Sequence, residues 1–144
     1  MWKRVMIATM FVMSVACDAH HSAKTVESPG EAGVRTGKVS NIVIDERVTP
    51  DTLTVRAGDE VRWLNHRQRP VVVQVAGPLD GKISCRNGFS NAFAMGVENE
   101  TTIDPNETAG LCFSRLGTVR YAVRSGETDD PEPLRDTHGT IMVE

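Results

Sequence analysis

The segment from Thr49 to Val75 contains three short runs whose apolar and polar positions predict β-strands. In the runs TLTV (52–55) and EVRW (60–63), apolar residues alternate with polar ones, which is typical of strands with one buried face. Gly58-Asp59 separates these runs, and glycine supplies the positive φ that a tight turn often needs. The third run, Val71 to Val75, is almost entirely β-branched and predicts a largely buried strand. Three strands bounded by turns predict a small all-β sandwich or barrel.

The rest of the chain extends the all-β prediction. After the first 17 residues, no segment shows a convincing 3.6-residue period of apolar positions. Further strands are predicted at Val39–Val48, Thr101–Ile103, Leu111–Phe113, Val119–Val123 and Gly139–Glu144. The stretch from Gly77 to Asn99 is rich in turn-forming residues and is predicted as a long irregular excursion. The acidic run from Glu127 to Asp136 has few apolar residues and is predicted as a solvated loop.

Residues 1–17 predict an export signal. Lys3 and Arg4 supply the charged start, and Val5 to Val15 form an apolar region too short to span a bilayer. The segment ends in SVAC, which resembles a bacterial lipobox, in which the cysteine is acylated and becomes the first mature residue. The same residues satisfy the small-x-small rule for ordinary signal peptidase. A cysteine directly after the small residue favours lipidation of Cys17, and ordinary cleavage stays open as the alternative.

Residues 18–37 predict a flexible tether, because they combine few large apolar groups with Pro, Gly and Ser. Residues 38–144 then form one domain. The pair His20-His21 could bind a metal, but no third ligand is near in sequence and a solvated linker explains the pair. We therefore expect a domain in the cell envelope, held on the periplasmic side of a bilayer by acylated Cys17. Asp18 resembles the inner-membrane retention signal of enteric bacteria. That rule does not transfer to all other bacteria, so both the inner and the outer membrane stay open as the site of anchoring.

The cysteine count supports the lipoprotein interpretation. The chain has three cysteines, and if Cys17 carries lipid, Cys85 and Cys112 remain as one pair in an oxidising compartment. A disulfide closing a loop of about 27 residues would stabilise the fold by roughly 3 kcal/mol. The alternative is a pair of reactive or metal-binding thiols, but neither a C-x-x-C motif nor a nearby histidine accompanies them.

Composition and motifs exclude two broad classes of function. A chain of 144 residues with a formal net charge of -3 has no basic footprint for nucleic acid. It also shows no Ser-His-Asp order, paired-carboxylate geometry, phosphate loop or zinc motif. We therefore expect neither a nucleic-acid partner nor an enzyme.

Three segments of the chain resemble cupredoxins of the plastocyanin and amicyanin type. They are TPDTLTVRAGDEVRWLN, IDPNETAGLCFSRLGTVRYAV and the closing HGTIMVE, which occur in the order of the family and together cover about Val39 to Glu144. The resemblance implies an all-β, two-sheet Greek-key β-sandwich. The usual function of this family is electron transfer at a type 1 copper site. Whether this chain could share that function depends on its residues at the ligand positions.

The copper ligands of the family are absent from the corresponding positions. Such a site uses two histidines, a cysteine thiolate and a weak axial methionine. In this chain Val71 stands at the first histidine position and Val123 at the cysteine position. The second histidine would fall within Arg124, Ser125 and Gly126, and the methionine near Thr137 and His138. The resemblance therefore implies a cupredoxin fold without a type 1 copper site and without a cofactor.

Two functions follow from this comparison. The first is a non-catalytic binding or structural module whose envelope protein partner is unknown. The alternative is a periplasmic copper-binding or electron-transfer protein with a rearranged site that uses His66, His138 and Met95. The simpler explanation of His66 and His138 is a pair of exposed loop histidines, because no third ligand with suitable spacing is visible. Four arginines near the same end could contact an acidic partner, although exposed arginines usually only solvate a surface. They are Arg67, Arg69, Arg120 and Arg124.

Overall fold

The computed structural model describes residues 35–90, 98–131, 134 and 137–144. Those residues form ten strands, which occupy two sheets. The strands are β1 (Val39–Ile44), β2 (Val48–Thr49), β3 (Thr52–Val55), β4 (Glu60–Asn65), β5 (Val71–Val75), β6 (Ile83–Asn87), β7 (Glu100–Ile103), β8 (Thr108–Phe113), β9 (Gly117–Ser125) and β10 (Thr137–Val143). The first sheet has the order β2-β1-β4-β8-β6 and the second β3-β10-β9-β5-β7.

One hydrophobic core lies between the two sheets, because most strands direct apolar side chains inward. Trp63 of the first sheet is fully buried at its centre. Its ring lies 5.6 Å from that of Phe89 and 5.5 Å from that of Tyr121, which belongs to the second sheet. The predicted all-β, two-sheet sandwich is therefore confirmed, and most connections cross from one sheet to the other as in Greek-key sandwiches. The described core residues run from Ile42 to Val143, so the chain from Arg35 onward contains all of them.

The turn predicted at Gly58-Asp59 is present but does not make a hairpin. Gly58 has a φ of 91°, which explains why glycine stands there. The turn takes the chain from β3 in the second sheet to β4 in the first. Within the described ranges, no helix is long and apolar enough to cross a membrane.

The prediction of an irregular excursion from Gly77 to Asn99 was wrong in its middle part. Residues 83–87 form β6, the edge strand of the first sheet, which pairs antiparallel with β8. Cys85 lies opposite Cys112 in this pairing, and the two form a disulfide with their Cα atoms 4.8 Å apart. The strand was missed because ISCRN carries little apolar alternation, so the pairing and the disulfide define it.

Candidate functional site

The two positions at which the family would carry histidine and cysteine ligands lie side by side in the second sheet. Val71 begins β5 and Val123 lies near the end of β9, and these strands pair antiparallel. Val71 lies opposite Ser125, and Val123 lies opposite Val73. The side chains of Val71 and Val123 are both 0% exposed and belong to the hydrophobic core. Val71 and Val123 are therefore surrounded by other packed apolar side chains.

Above these valines, Asn65 organises the loop that connects β4 to β5. Its side-chain amide donates to the carbonyl oxygens of Arg69, at 2.8 Å, and Ile103, at 2.9 Å. Its Oδ1 accepts from the backbone N–H of Arg67 at 2.9 Å. Asn65 is fully buried, so these bonds satisfy an amide that would otherwise be costly to bury. We call this end of the sandwich, formed by residues 65–71, 123–131 and 134, the closed pole.

A buried ion pair joins the two loops of the closed pole. Nη2 of Arg67 lies 3.1 Å from Oδ2 of Asp130, and the side chains are 14% and 3% exposed. The hydroxyl of Ser125 donates to the same carboxylate oxygen at 3.1 Å. That hydroxyl also accepts from the backbone N–H of Leu134 at 2.7 Å. The ion pair and these hydrogen bonds form one continuous polar network, which holds the chain after β9 against the closed pole.

The solvated-loop prediction for Glu127 to Asp136 is therefore corrected at two of its residues. Leu134 is 6% exposed and belongs to the hydrophobic core, and the Asp130 side chain is buried against Arg67. A single leucine in a polar run carries no periodic signal, which is why sequence alone did not place it. Residues 132, 133, 135 and 136 lie outside the described part of the chain.

Three of the four arginines considered for an acidic partner already have carboxylate partners within the chain. Arg67 pairs with Asp130, and Arg69 pairs with Glu127 in an exposed contact. The hydrogen bond to Glu127 raises the pKa of Arg69 above its usual value. Arg124 pairs with Glu100 at 3.1 Å. Three of the four arginines thus have a partner within the chain, and contact with an acidic protein partner stays a prediction. Arg120, the fourth, lies on the outer face of the second sheet.

His66 and His138 do not share a site. His66 lines a groove of about 1420 Å³ at the closed pole, where its Nδ1 lies 3.9 Å from Oδ1 of Asp45. His138 lines a different cavity, on the outer face of the second sheet. Among the described residues, no group of three or more His, Cys, Asp or Glu side chains is arranged to hold a metal ion. Met95, the third candidate ligand, lies outside the described residues, as do His20, His21 and Cys17.

The pole opposite the closed pole receives the amino-terminal chain. Thr36 donates from its hydroxyl to Asp59, and Lys38 lies 3.8 Å from the same carboxylate. The hydrogen bond from Thr36 lowers the pKa of Asp59, against its burial, which raises it, and the Arg56 amide lowers it further. β1 and β4 are parallel and run side by side from this pole to the closed pole. A strand of six residues spans roughly 20 Å, so the two poles are well separated.

Sequence comparisons leave the family open, and the solved structures similar to this chain include those of amicyanin. No protein-family model matches the chain, and no curated protein is significantly similar to it in sequence. The chain is similar to a proline-to-glycine variant of amicyanin in its Cu(I) form, at 19% identity and a TM-score of 0.46, over 77% of this chain and 86% of that one. An oxidised methionine-to-leucine variant gives 20% identity and a TM-score of 0.47, over 81% and 95% of the two chains.

The sequence contained one unused signal for the closed pole. Period-2 alternation through β4 puts Asn65 on the buried face with Val61 and Trp63. A buried asparagine needs several partners, so its position indicated a polar network at the end of this strand. No comparable local signal distinguished Asp130 from the other acidic residues around it.

Proposed function

We propose that this chain is a membrane-anchored, non-catalytic binding module of cupredoxin-like fold that has lost the type 1 copper site. The observation that carries the proposal is the complete burial of Val71 and Val123 in the core. A branched alkyl side chain offers no lone pair to a metal, whereas a blue copper site requires a thiolate and two imidazoles. The partner of such a module would be another component of the cell envelope.

The remaining cysteines support the loss of copper. Cys85 and Cys112 are joined to each other on β6 and β8 of the first sheet. Val71 and Val123 lie in the second sheet. Among the residues that the structure describes, the disulfide therefore leaves no free thiolate for a copper bond beside the two valines.

The polar groups of the closed pole support the same proposal, because they are engaged with one another. Asn65 uses both its carbonyl oxygen and its amide group in backbone hydrogen bonds. Arg67, Ser125 and Asp130 form a shared network. A metal ion in place of this network would have to displace the Arg67–Asp130 ion pair, whose separation leaves uncompensated charge.

The copper content of the exported protein tests the proposal. The full chain is expressed with its own signal in a bacterium supplied with added copper, and purified without chelator. Amicyanin exported in the same way serves as the positive control. We expect much less than one copper per chain by mass spectrometry of the metal. A ratio near one would contradict the proposal, and His66→Ala and His138→Ala would then show whether these histidines hold the metal.

Anchoring through Cys17 is tested separately. Cells given an alkyne-bearing fatty acid should label the wild-type chain, and Cys17→Ser should abolish the label and move the protein to the soluble periplasmic fraction. Unchanged labelling and fractionation of Cys17→Ser would contradict lipid anchoring without affecting the copper result.

A further inference from the structure

The outer face of the second sheet carries a shallow cavity of about 680 Å³ that the closed pole does not include. Its floor is made by the small side chains of Ala76 and Ala122. Longer polar side chains surround the floor. They are those of Gln74, Arg120, His138 and Thr140. We call this cavity the alanine cradle.

Strand register explains how the cradle forms. Ala122 of β9 lies opposite Gln74 of β5 on one side and opposite His138 of β10 on the other. Cross-strand partners share a face of the sheet, and the inward neighbours of Ala122 along β9 are buried. Ala122 therefore points outward between two longer polar side chains. Arg120, two residues earlier on β9, lies opposite Thr140 and stands on the same outer face.

The charge of the alanine cradle contrasts with that of the whole chain. The chain has 19 acidic and 16 basic residues, yet no carboxylate lines this cavity. Arg124, on the same face and the same strand, is engaged by Glu100. In the described part of the chain, no carboxylate pairs with Arg120, so the hydrogen-bond donors of its guanidinium remain available to a ligand.

We propose that the alanine cradle binds the carboxylate or phosphate group of a small organic ligand. The planar guanidinium of Arg120 matches either oxyanion with two parallel N–H donors. The side chains of Gln74, His138 and Thr140 add further donors around the same floor. A cavity of about 680 Å³ lies within the usual range for small-molecule sites. The cradle gives the proposed binding module a class of ligand, but it does not depend on the loss of copper.

Titration of the isotope-labelled chain from Arg35 to Glu144, followed by amide resonances, tests this site. Citrate and inorganic phosphate are the two probes, each at constant ionic strength set with sodium chloride. We expect saturable shifts confined to β5, β9 and β10 around Ala122 for at least one probe. The probe that binds more tightly distinguishes a carboxylate ligand from a phosphate ligand.

Two variants separate specific binding from general charge attraction. Arg120→Gln removes the bidentate cation, and we expect the dissociation constant to rise at least about tenfold. Ala122→Leu keeps every charge but fills the floor, and we expect a similar loss. Arg47→Gln removes the same charge from the β1–β2 turn of the other sheet, and should leave the affinity within about twofold, since exposed charges are screened by salt.

Two outcomes would overturn the proposal. If both probes leave the resonances around Ala122 unmoved, the oxyanion site is excluded. Equal weakening by Arg120→Gln and Arg47→Gln would reduce the binding to net charge. Amide spectra of each variant in the absence of probe establish that the fold is intact. The copper content of the exported chain is measured independently, so failure of this proposal leaves the previous one unchanged.

Discussion

At the scale of single residues, Tyr121 shows how closely the core of this sandwich is packed. Its ring lies 5.5 Å from that of Trp63 and covers Gly139 on the neighbouring strand. A Cβ added to Gly139 would fall within the Tyr121 ring, so only glycine fits there. The hydroxyl of Tyr121 is 3.4 Å from the carbonyl oxygen of Pro50, to which it donates. Burial first, and the charge of Asp51 second, raise the pKa of Tyr121 to about 12.

The pKa of Tyr121 predicts a loss of stability at high pH. Because the folded pKa of about 12 exceeds the ordinary value of 10.0, this residue contributes its full stability below pH 10.0. That contribution is lost as the pH rises from 10.0 to about 12. The chain has one tyrosine, so near-ultraviolet phenolate absorbance reports on it alone. We expect a midpoint near 12 in the folded chain and near 10 in denaturant. A midpoint near 10 with native circular dichroism would contradict the buried environment.

The Arg67–Asp130 pair predicts a large cost for removing one buried partner. Asp130→Ala leaves the Arg67 guanidinium buried without this carboxylate, so we expect the free energy of unfolding to fall by about 3 kcal/mol. Glu100→Ala is the matched control, because it breaks the exposed pair with Arg124 and should cost less than about 1 kcal/mol. Urea unfolding of both variants measures the difference. Equal losses would show that the closed pole is solvated.

At the scale of elements, the apolar pattern was sufficient to predict strands that bury a row of apolar residues. It was not sufficient to predict the elements that lack such a row. The runs at 52–55, 60–63 and 71–75 all lie in strands where the pattern predicted them. β6 was not predicted, because its contribution to the fold is an edge pairing and a disulfide rather than a row of apolar residues. The place of Leu134 was not predicted either, since a lone apolar residue becomes part of a core only through tertiary contacts.

The disulfide predicts how firmly β6 is held. The double variant Cys85→Ala/Cys112→Ala removes a constraint on a loop of 27 residues, and we expect the free energy of unfolding to fall by roughly 3 kcal/mol. Amide exchange should accelerate most in β6, because this edge strand has a neighbour on one side only. Denaturant unfolding and hydrogen exchange measure the two effects. Uniform acceleration throughout the sandwich would show that β6 is not a separate element of stability.

At the scale of the whole molecule, the two poles have different structures. One receives the chain beside Asp59, and the other is filled by valines and covered by the Arg67–Asp130 network. The sequence was sufficient to predict that Val71 and Val123 face the core, because both lie in strands of apolar, β-branched residues. It was not sufficient to predict the network, because Arg67 and Asp130 are 63 residues apart and meet only after folding.

Titration of the chain from Arg35 to Glu144 with Cu(II), under oxidising conditions that keep the disulfide formed, tests the loss of the type 1 copper site most directly. Visible absorption and electron paramagnetic resonance follow the metal at each step. We expect no intense thiolate-to-copper absorption band and only weak, substoichiometric binding, since both cysteines of this segment form the disulfide. Buried valines also stand at the two positions where the resemblance implies the first histidine and the cysteine. An intense band that saturates at one copper per chain would contradict the loss of the site and restore electron transfer as the function.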